Sequence, residues 1–267
     1  MINKCIKNIK FYDATMFHLK EVQKSYEEYL KKLNKLSDNE KEIFLKCLLN
    51  LELFNTQEME NVDRMAIEMD KLTYQDNSIT YLVRQVKNNP YSNEIIKKAH
   101  QLLVRGTESE FSQNYHYRTK NVKVGKIIDN KEIISYEPID YEEIEENMNE
   151  IIEILNGNIF DNVFLKPFIV HALIAIIQPF VDGNTRLARL IQSVEIMRLT
   201  NEKKEIVSYP TLYLTGNYRL NRGYRRNIGS IALNPNEENW NLWFEYNLKM
   251  VDEQLFYLNN EVKKYIK

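Results

Sequence analysis

The spacing of apolar residues along the chain predicts a protein built mainly from helices. Apolar positions recur every three or four residues within 12–33, 40–54 and 141–156, with Lys, Glu and Asn between them. Further helices are expected at 77–87, 92–104 and 236–267. Residues 55–61 are expected to separate the helix at 40–54 from another that ends at Leu72. From Asn162 to Ile177 apolar residues occur on nearly every side, which is typical of a helix buried inside a larger protein.

One segment departs from the helical pattern. Between Glu108 and Glu137, β-branched and aromatic residues lie on both sides of Asp129-Asn130. Such residues favour strands, and the Asp-Asn pair favours a turn. The sequence therefore predicts a β-hairpin inside an otherwise helical protein.

Composition narrows the class of protein. The chain has 267 residues, of which 43% are hydrophobic, and this is enough to fill a sizeable core. A net charge of -2 argues against a nucleic-acid partner held by overall charge. Cys5 and Cys47 give neither a disulfide framework nor a metal-ligand spacing. No apolar run is long enough to cross a bilayer and the N-terminus lacks an apolar signal core, so we expect a cytoplasmic protein without a membrane partner; export to a host cell by a route that needs no cleaved signal stays open as the alternative.

The candidate chemistry is concentrated in residues 178–189, which read Gln-Pro-Phe-Val-Asp-Gly-Asn-Thr-Arg-Leu-Ala-Arg. Pro179 ends the buried helix, and Asp-Gly-Asn predicts a turn into a second helix. The N-terminus of that helix offers backbone N–H groups and the positive end of its dipole, and Gly183 lets a ligand approach the backbone closely. Arg186 and Arg189 follow in the first turns. This arrangement indicates a phosphate-binding site.

Residues 178–189 resemble the signature of Fic-domain proteins, His-Pro-Phe-x-Asp/Glu-Gly-Asn-Gly-Arg-x-x-Arg. Gln178 stands in place of the family's catalytic histidine, and Thr185 in place of its second glycine. The resemblance implies a mostly α Fic-domain helical fold with a β-hairpin flap, plus N-terminal helices. On this basis we expect an N-terminal helical region at 1–88, a Fic core at 89–235 and a C-terminal helix packed on the core at 236–267.

The resemblance also implies what the signature residues bind. In the family, the phosphates of ATP lie over the loop while a Ser, Thr or Tyr hydroxyl of a protein target attacks the α-phosphorus. Asp182 would hold Mg²⁺, a hard ion that prefers carboxylate oxygen, and Arg189 would bind the γ-phosphate through two hydrogen bonds. The other nucleotide-binding residues implied by the resemblance are Gly183, Asn184, Thr185, Arg186, Asn221 and Tyr224. The last two would line the base pocket from one helix within 210–227, a segment that resembles the family's next helix.

Two further segments are similar to regulatory and target-binding parts of the family. Residues 117–125 resemble the segment leading into the flap, which implies that a target segment adds to the hairpin as a strand; the residues concerned are Arg118, Thr119, Val122 and Gly125. Upstream, Thr56, Glu60 and Asn61 fit the family's inhibitory pattern Ser/Thr-x-x-x-Glu-Gly/Asn, which lies on a helix beside the nucleotide. The alternative is a helix N-cap at Thr56 followed by first-turn acidic residues.

Gln178 decides what activity to expect. An imidazole with a pKa of about 6.5 can accept the proton of the attacking hydroxyl, whereas an amide can only form hydrogen bonds. His171 is about 10 Å away along the helix, so we expect it to be a core residue. Loss of a positioned base costs roughly 10²- to 10⁴-fold in rate.

The sequence therefore predicts an adenylyltransferase that moves AMP from ATP to a protein hydroxyl and is impaired at position 178. Two alternatives stay open. One is a nucleotide-binding pseudoenzyme or interaction module, and the other is a hydrolase that removes AMP with Glu60 orienting water. A homodimer is compatible with the sequence, which does not define the oligomeric state.

Overall fold

The computed structural model describes residue 6 and residues 9–59, 69–105, 115–128, 131–202, 209–220 and 223–265. The elements in these ranges are α1 (Asp13–Leu33), α2 (Asp38–Met59), α3 (Met69–Asn88), α4 (Asn93–Val104), β1 (Val124–Ile128), β2 (Lys131–Tyr136), a 3₁₀ turn (Tyr141–Glu143), α5 (Ile144–Asn156), α6 (Leu165–Ile177), α7 (Asn184–Glu202), α8 (Leu214–Leu220), α9 (Gly223–Leu233) and α10 (Glu237–Lys263).

Helix α6 lies at the centre of the molecule and is buried on nearly all sides, as its continuous apolar sequence predicts. It packs against α5, α7, α9 and α10. Asn162 precedes it, and its side-chain oxygen accepts hydrogen bonds from the backbone N–H groups of Phe164 at 2.9 Å and Leu165 at 3.2 Å. This capping explains why the helix begins at Leu165, three residues later than the apolar pattern begins.

The outer helices share one core with α6. Helix α1 packs along α10, α2 packs on α8 and α3, and α3 packs on α4 and α7. Buried apolar side chains from Ile6 to Val262 form one continuous cluster. The N-terminal, central and C-terminal parts of the chain are therefore stabilised by the same core. In the described part of the chain, no helix combines the length and the apolar character needed to span a bilayer.

The predicted hairpin is confirmed. Strands β1 and β2 are antiparallel, with Ile128 opposite Lys131 and Val124 opposite Tyr136, and the register shifts between Val124 and Gly125. Tyr136 is buried, and its hydroxyl donates a hydrogen bond of 2.8 Å to the carbonyl of Ala175 near the end of α6. The hairpin is thus anchored beside the loop that follows α6.

Two predicted boundaries are wrong. Helix α2 continues through Met59, so Thr56 lies in the last turn of a helix and is not an N-cap. Buried contacts of this turn with α8 outweigh the weak helix propensity of Asn and Thr. The segment 210–227, expected as one helix, contributes to two: α8 ends at Leu220 and α9 begins at Gly223. Glycine has a low helix propensity, which favours a boundary there.

Candidate functional site

The carbonyl groups at the end of α6 are held by Arg118, which precedes the hairpin. Gln178 has a left-handed backbone, with φ 50° and ψ 62°, and turns the chain out of the helix. Arg118 donates from Nε to the carbonyl of Gln178 at 2.8 Å and from its backbone N–H to that of Pro179 at 2.9 Å. Its Nη2 donates to the carbonyl of Ile139 at 2.5 Å. A guanidinium thus satisfies carbonyls that lack a partner within the helix.

Arg118 is only 4% exposed, and burial lowers the pKa of its guanidinium. It therefore joins the segment before the hairpin to the loop after α6, and its side chain does not lie on the surface of the hairpin. Thr119 is exposed, Val122 is half-buried, and Gly125 lies in β1 against the backbone of Ile133.

Asn184 closes the loop 178–184 from inside. Its Oδ1 accepts a hydrogen bond of 2.8 Å from the backbone N–H of Phe180, and its Nδ2 donates to the carbonyl of Phe180 at 2.8 Å. The same Nδ2 donates to Oε1 of Gln178 at 2.8 Å, and Nε2 of Gln178 donates to the carbonyl of Ala175 at 2.6 Å. Both ends of the Gln178 amide are therefore engaged in holding the loop.

Gly183 is required by both conformation and space. Its φ of +79° is one that L side chains rarely adopt, and an added Cβ would lie 2.8 Å from Cγ1 of Val104 and 3.1 Å from Nε2 of His100. His100 lies on α4, and its ring stacks on that of Phe180 with centroids 3.6 Å apart. The sequence interpretation missed His100, and its only signal is a place on the buried face of α4.

The charged side chains of the signature lie at the start of α7. The Asp182 carboxylate is 54% exposed and accepts a hydrogen bond of 2.8 Å from Nη2 of Arg186, which is 6% exposed. Thr185 lies between them and is half-buried. Arg189 is 1% exposed, and its Nη2 donates to the carbonyl of Thr56 at 3.3 Å. Helix α2 therefore covers the second arginine of the signature.

Glu52 fixes α2 against this site. Its carboxylate is buried and accepts hydrogen bonds from the backbone N–H of Thr215 at 3.0 Å, the hydroxyl of Thr215 at 2.5 Å and the hydroxyl of Ser193 at 3.4 Å. Burial raises the pKa of Glu52, and the hydrogen bonds and the charge of Arg189 oppose that shift. The sequence interpretation missed Glu52, although the residue falls within the apolar stripe of α2, where an acidic residue is unusual.

His171 is a core histidine, as the sequence predicts. Its Nδ1 bonds to Oε1 of Gln192 and its Nε2 to the hydroxyl of Tyr224 at 2.6 Å. Burial lowers its pKa to about 3, the bond to Gln192 opposes the shift, and the charge of Arg189 adds to it. Tyr224 is thus placed in the core with its hydroxyl facing His171.

The structure brings most of the predicted nucleotide site together. Gln178, Asp182, Gly183 and Asn184 form one loop, followed on α7 by Thr185, Arg186 and Arg189, with Thr56 against Arg189. Tyr224 is buried in the core, with its hydroxyl 2.6 Å from Nε2 of His171. Glu60, Asn61 and Asn221 lie outside the described residues.

Comparison with known proteins identifies similar chains. Residues 90–195 match the model of the Fic/DOC family. A Fic family protein from Desulfovibrio desulfuricans G20 superposes with a TM-score of 0.71 at 15% identity, over 94% of this chain and 76% of that chain. A Fic domain containing signaling protein from Bacteroides thetaiotaomicron VPI-5482 has a TM-score of 0.67 at 15% identity, over 91% and 97%.

Fic-1 from C. elegans, residues 134–508, has a TM-score of 0.66 at 16% identity, over 94% of this chain and 73% of that chain. Identities this low show a common fold and nothing about substrates. The mostly helical fold with a hairpin, predicted from the sequence, is confirmed by these likenesses. No curated protein sequence is significantly similar to this chain.

Proposed function

We propose that the protein binds ATP and transfers AMP to a hydroxyl of another protein, and the match of residues 90–195 to the model of the Fic/DOC family supports this proposal. Members of the family are typically transferases of nucleoside monophosphates. The observation that carries the proposal is the loop 178–184, which enters α7 through a glycine with no room for a side chain.

The start of α7 supplies the phosphate site. The first N–H groups of a helix lack partners within the helix and favour anions. Gly183 is buried with a φ of +79°, and an added Cβ would meet Val104 and His100, so the turn into α7 admits no side chain at this position. Arg186 adds positive charge in the first turn. We assign the α- and β-phosphates to Gly183, Asn184, Thr185 and Arg186.

Asp182 fits the requirements of a Mg²⁺ ligand. Mg²⁺ binds one or two carboxylates together with substrate phosphates, and the Asp182 carboxylate is the exposed acidic group of the loop. Arg186 pairs with it at 2.8 Å and holds its orientation. When bound, the ion would neutralise phosphate charge. No other residue of the signature supplies a carboxylate.

The transfer would form a bond between the target hydroxyl oxygen and the α-phosphorus and break the bond from that phosphorus to the bridging oxygen, releasing pyrophosphate. The hydroxyl proton needs an acceptor, and Gln178 has no useful basicity. Its amide is also engaged with Ala175 and Asn184. The proton would leave to solvent or to a phosphate oxygen, so we expect slow transfer, by roughly 10²- to 10⁴-fold.

Two neighbouring segments support regulation and target binding. Arg189, which we assign to the γ-phosphate, is covered by α2, so a triphosphate requires a shift of the turn that contains Thr56. This agrees with an inhibitory role for Thr56 and for Glu60 and Asn61, which follow it.

The hairpin beside the loop has exposed Ile133 and Ile134 on β2, and we assign it to strand addition by the target protein.

A nucleotide-binding pseudoenzyme is the second candidate. The hydrogen bonds of Gln178 favour it, because they make the glutamine part of the loop structure. Hydrolysis of an AMP-modified protein depends on Glu60, which lies outside the described residues, and stays a prediction.

The proposal is tested by calorimetric titration with ATP and AMP, together with transfer of α-labelled ATP into lysate proteins. Arg189→Ala should weaken ATP much more than AMP, because a bidentate γ-phosphate contact is lost. Asp182→Ala should abolish the Mg²⁺ dependence of ATP binding. Equal losses for ATP and AMP in Arg189→Ala would remove the γ-phosphate assignment, and binding without any transfer would favour the pseudoenzyme.

A further inference from the structure

His100 contacts the signature loop at three places from a different helix. Its Nε2 is 2.7 Å from the carbonyl oxygen of Asp182, and its ring is parallel to that of Phe180 within 1°. Its Nε2 also lies 3.1 Å from where a Cβ of residue 183 would stand. One buried side chain thus lies within hydrogen-bond distance of the residue before the glycine, takes up the space that a Cβ of residue 183 would need, and stacks on the aromatic ring of Phe180.

The direction of the hydrogen bond follows from its partner. A carbonyl oxygen only accepts, so Nε2 of His100 must carry the hydrogen. Burial and the positive charge of Arg186 lower the pKa of His100 to about 4, while the bond to Asp182 opposes the shift. The geometry alone fixes Nε2 as the donor in this bond.

The helix that carries His100 is itself firmly placed. Helix α4 packs against α3, α5 and α7. Ile96, Ala99 and Leu103 on its inner face are buried, and the hydroxyl of Ser78 on α3 donates to the carbonyl of Ala99 at 2.7 Å. A donor on such an element can hold a loop more accurately than a donor on another loop.

We propose that His100 is a positioning residue that presets the loop for a metal–nucleotide complex. By holding the Asp182 carbonyl, it fixes the direction in which the Asp182 carboxylate leaves the backbone. By filling the space behind Gly183, it keeps the following N–H groups of α7 directed at the phosphates. The role in binding rests on the proposed function, whereas the effect on the loop is a property of the protein alone.

Two substitutions separate the functions of the ring. His100→Phe keeps a flat ring that can stack on Phe180 and removes the N–H donor. His100→Gln keeps an N–H donor and removes the ring. Ser78→Ala is the matched control, because it removes a buried hydrogen bond from the packing of α3 on α4 without touching the loop.

The first measurement uses calorimetry to obtain the dissociation constant of ATP without Mg²⁺ and with Mg²⁺. The ratio of the first constant to the second reports how much Mg²⁺ strengthens the binding of ATP. Loss of a group that orients a metal ligand typically costs roughly 10- to 100-fold in metal affinity. We expect His100→Phe to reduce this ratio by about tenfold, His100→Gln to restore part of it, and Ser78→Ala to leave it unchanged. An unchanged ratio in His100→Phe would overturn the role in metal–nucleotide binding.

The second measurement is amide hydrogen exchange without nucleotide. His100→Phe should accelerate exchange selectively in residues 181–186, while α6 and α10 keep the protection seen in the wild type. Acceleration spread over the whole chain, as expected for Ser78→Ala, would mean a purely structural role and would overturn the proposal. If the wild type binds no ATP, the proposed function fails, and the exchange of the loop still decides whether His100 positions it.

Discussion

The left-handed backbone at position 178 indicates which side chains this position can accommodate. Histidine is one of the residues enriched at positive φ, so the φ of 50° suits either Gln or His. A ring nitrogen of His could also accept the hydrogen bond that Nδ2 of Asn184 now donates to Gln178. The loop therefore has the conformation that a basic residue at this position would need.

From this we predict that Gln178→His raises AMP transfer by a factor on the order of 10² or more, because a neutral imidazole can accept the hydroxyl proton. ATP affinity should change little, since the phosphate-binding groups are untouched. Transfer should fall as the pH drops below about 6.5. The assay is transfer of α-labelled ATP, with Gln178→Asn as a control that tolerates the same backbone but has no base. No transfer by Gln178→His, despite ATP binding, would favour the pseudoenzyme.

His171 makes stability depend on pH. Its folded pKa is about 3, so between about pH 6.5 and that value the unfolded chain binds a proton that the folded protein does not. Stability should therefore fall as the pH is lowered, by up to about 1.4 kcal/mol per pH unit, and the effect is absent above about pH 7. Urea unfolding between about pH 7 and about pH 5 measures it. His171→Gln should have a shallower slope, and equal slopes would contradict the prediction.

At the scale of elements, α2 covers the site, and Glu52 attaches it through buried hydrogen bonds to Thr215 and Ser193. Glu52 and Arg189 are both buried; burial raises the pKa of Glu52, and its hydrogen bonds to Thr215 and the charge of Arg189 oppose that shift. We predict that Glu52→Gln costs about 1–3 kcal/mol of unfolding free energy, because it removes a charge that balances a buried guanidinium.

The control is a double-mutant cycle measured by urea unfolding. In an Arg189→Ala background, Glu52→Gln should cost much less, since the two residues share one network. Additive costs would show that Glu52 acts only through its hydrogen bonds to Thr215, in the first turn of α8, and to Ser193 on α7.

The elements also show what the sequence could predict. The signature residues at 182–189 are neighbours along the chain, so their meeting at one helix start follows from local turn and helix signals. Other contacts of the loop and of α7 come from residues distant in sequence, namely His100, Glu52 and Arg118. Their local sequences do not predict which residues they will contact in the folded protein. The same limit applies to Thr56, where burial against α8 extended the helix beyond the predicted boundary.

At the scale of the molecule, one core joins the first and last parts of the chain. Leu248 on α10 is fully buried in it. Leu248→Ala should lower the unfolding free energy by about 2–5 kcal/mol. Because the helices from α1 to α10 share the cluster, we expect a single thermal transition in calorimetry at a lower temperature. Two separated transitions in the variant would show that the N-terminal helices unfold independently.

The aromatic face of α10 gives the protein an intrinsic optical reporter. Both tryptophans of the chain, Trp240 and Trp243, are buried on this helix. Nε1 of Trp243 donates to the carbonyl of Phe168 in α6 at 2.9 Å, and its ring centroid is 5.4 Å from that of His171. Indole emission should therefore shift when α10 leaves α6. A ligand that rearranges only residues 178–184 should leave the spectrum unchanged, whereas one that displaces the Tyr224 hydroxyl from His171 should alter it.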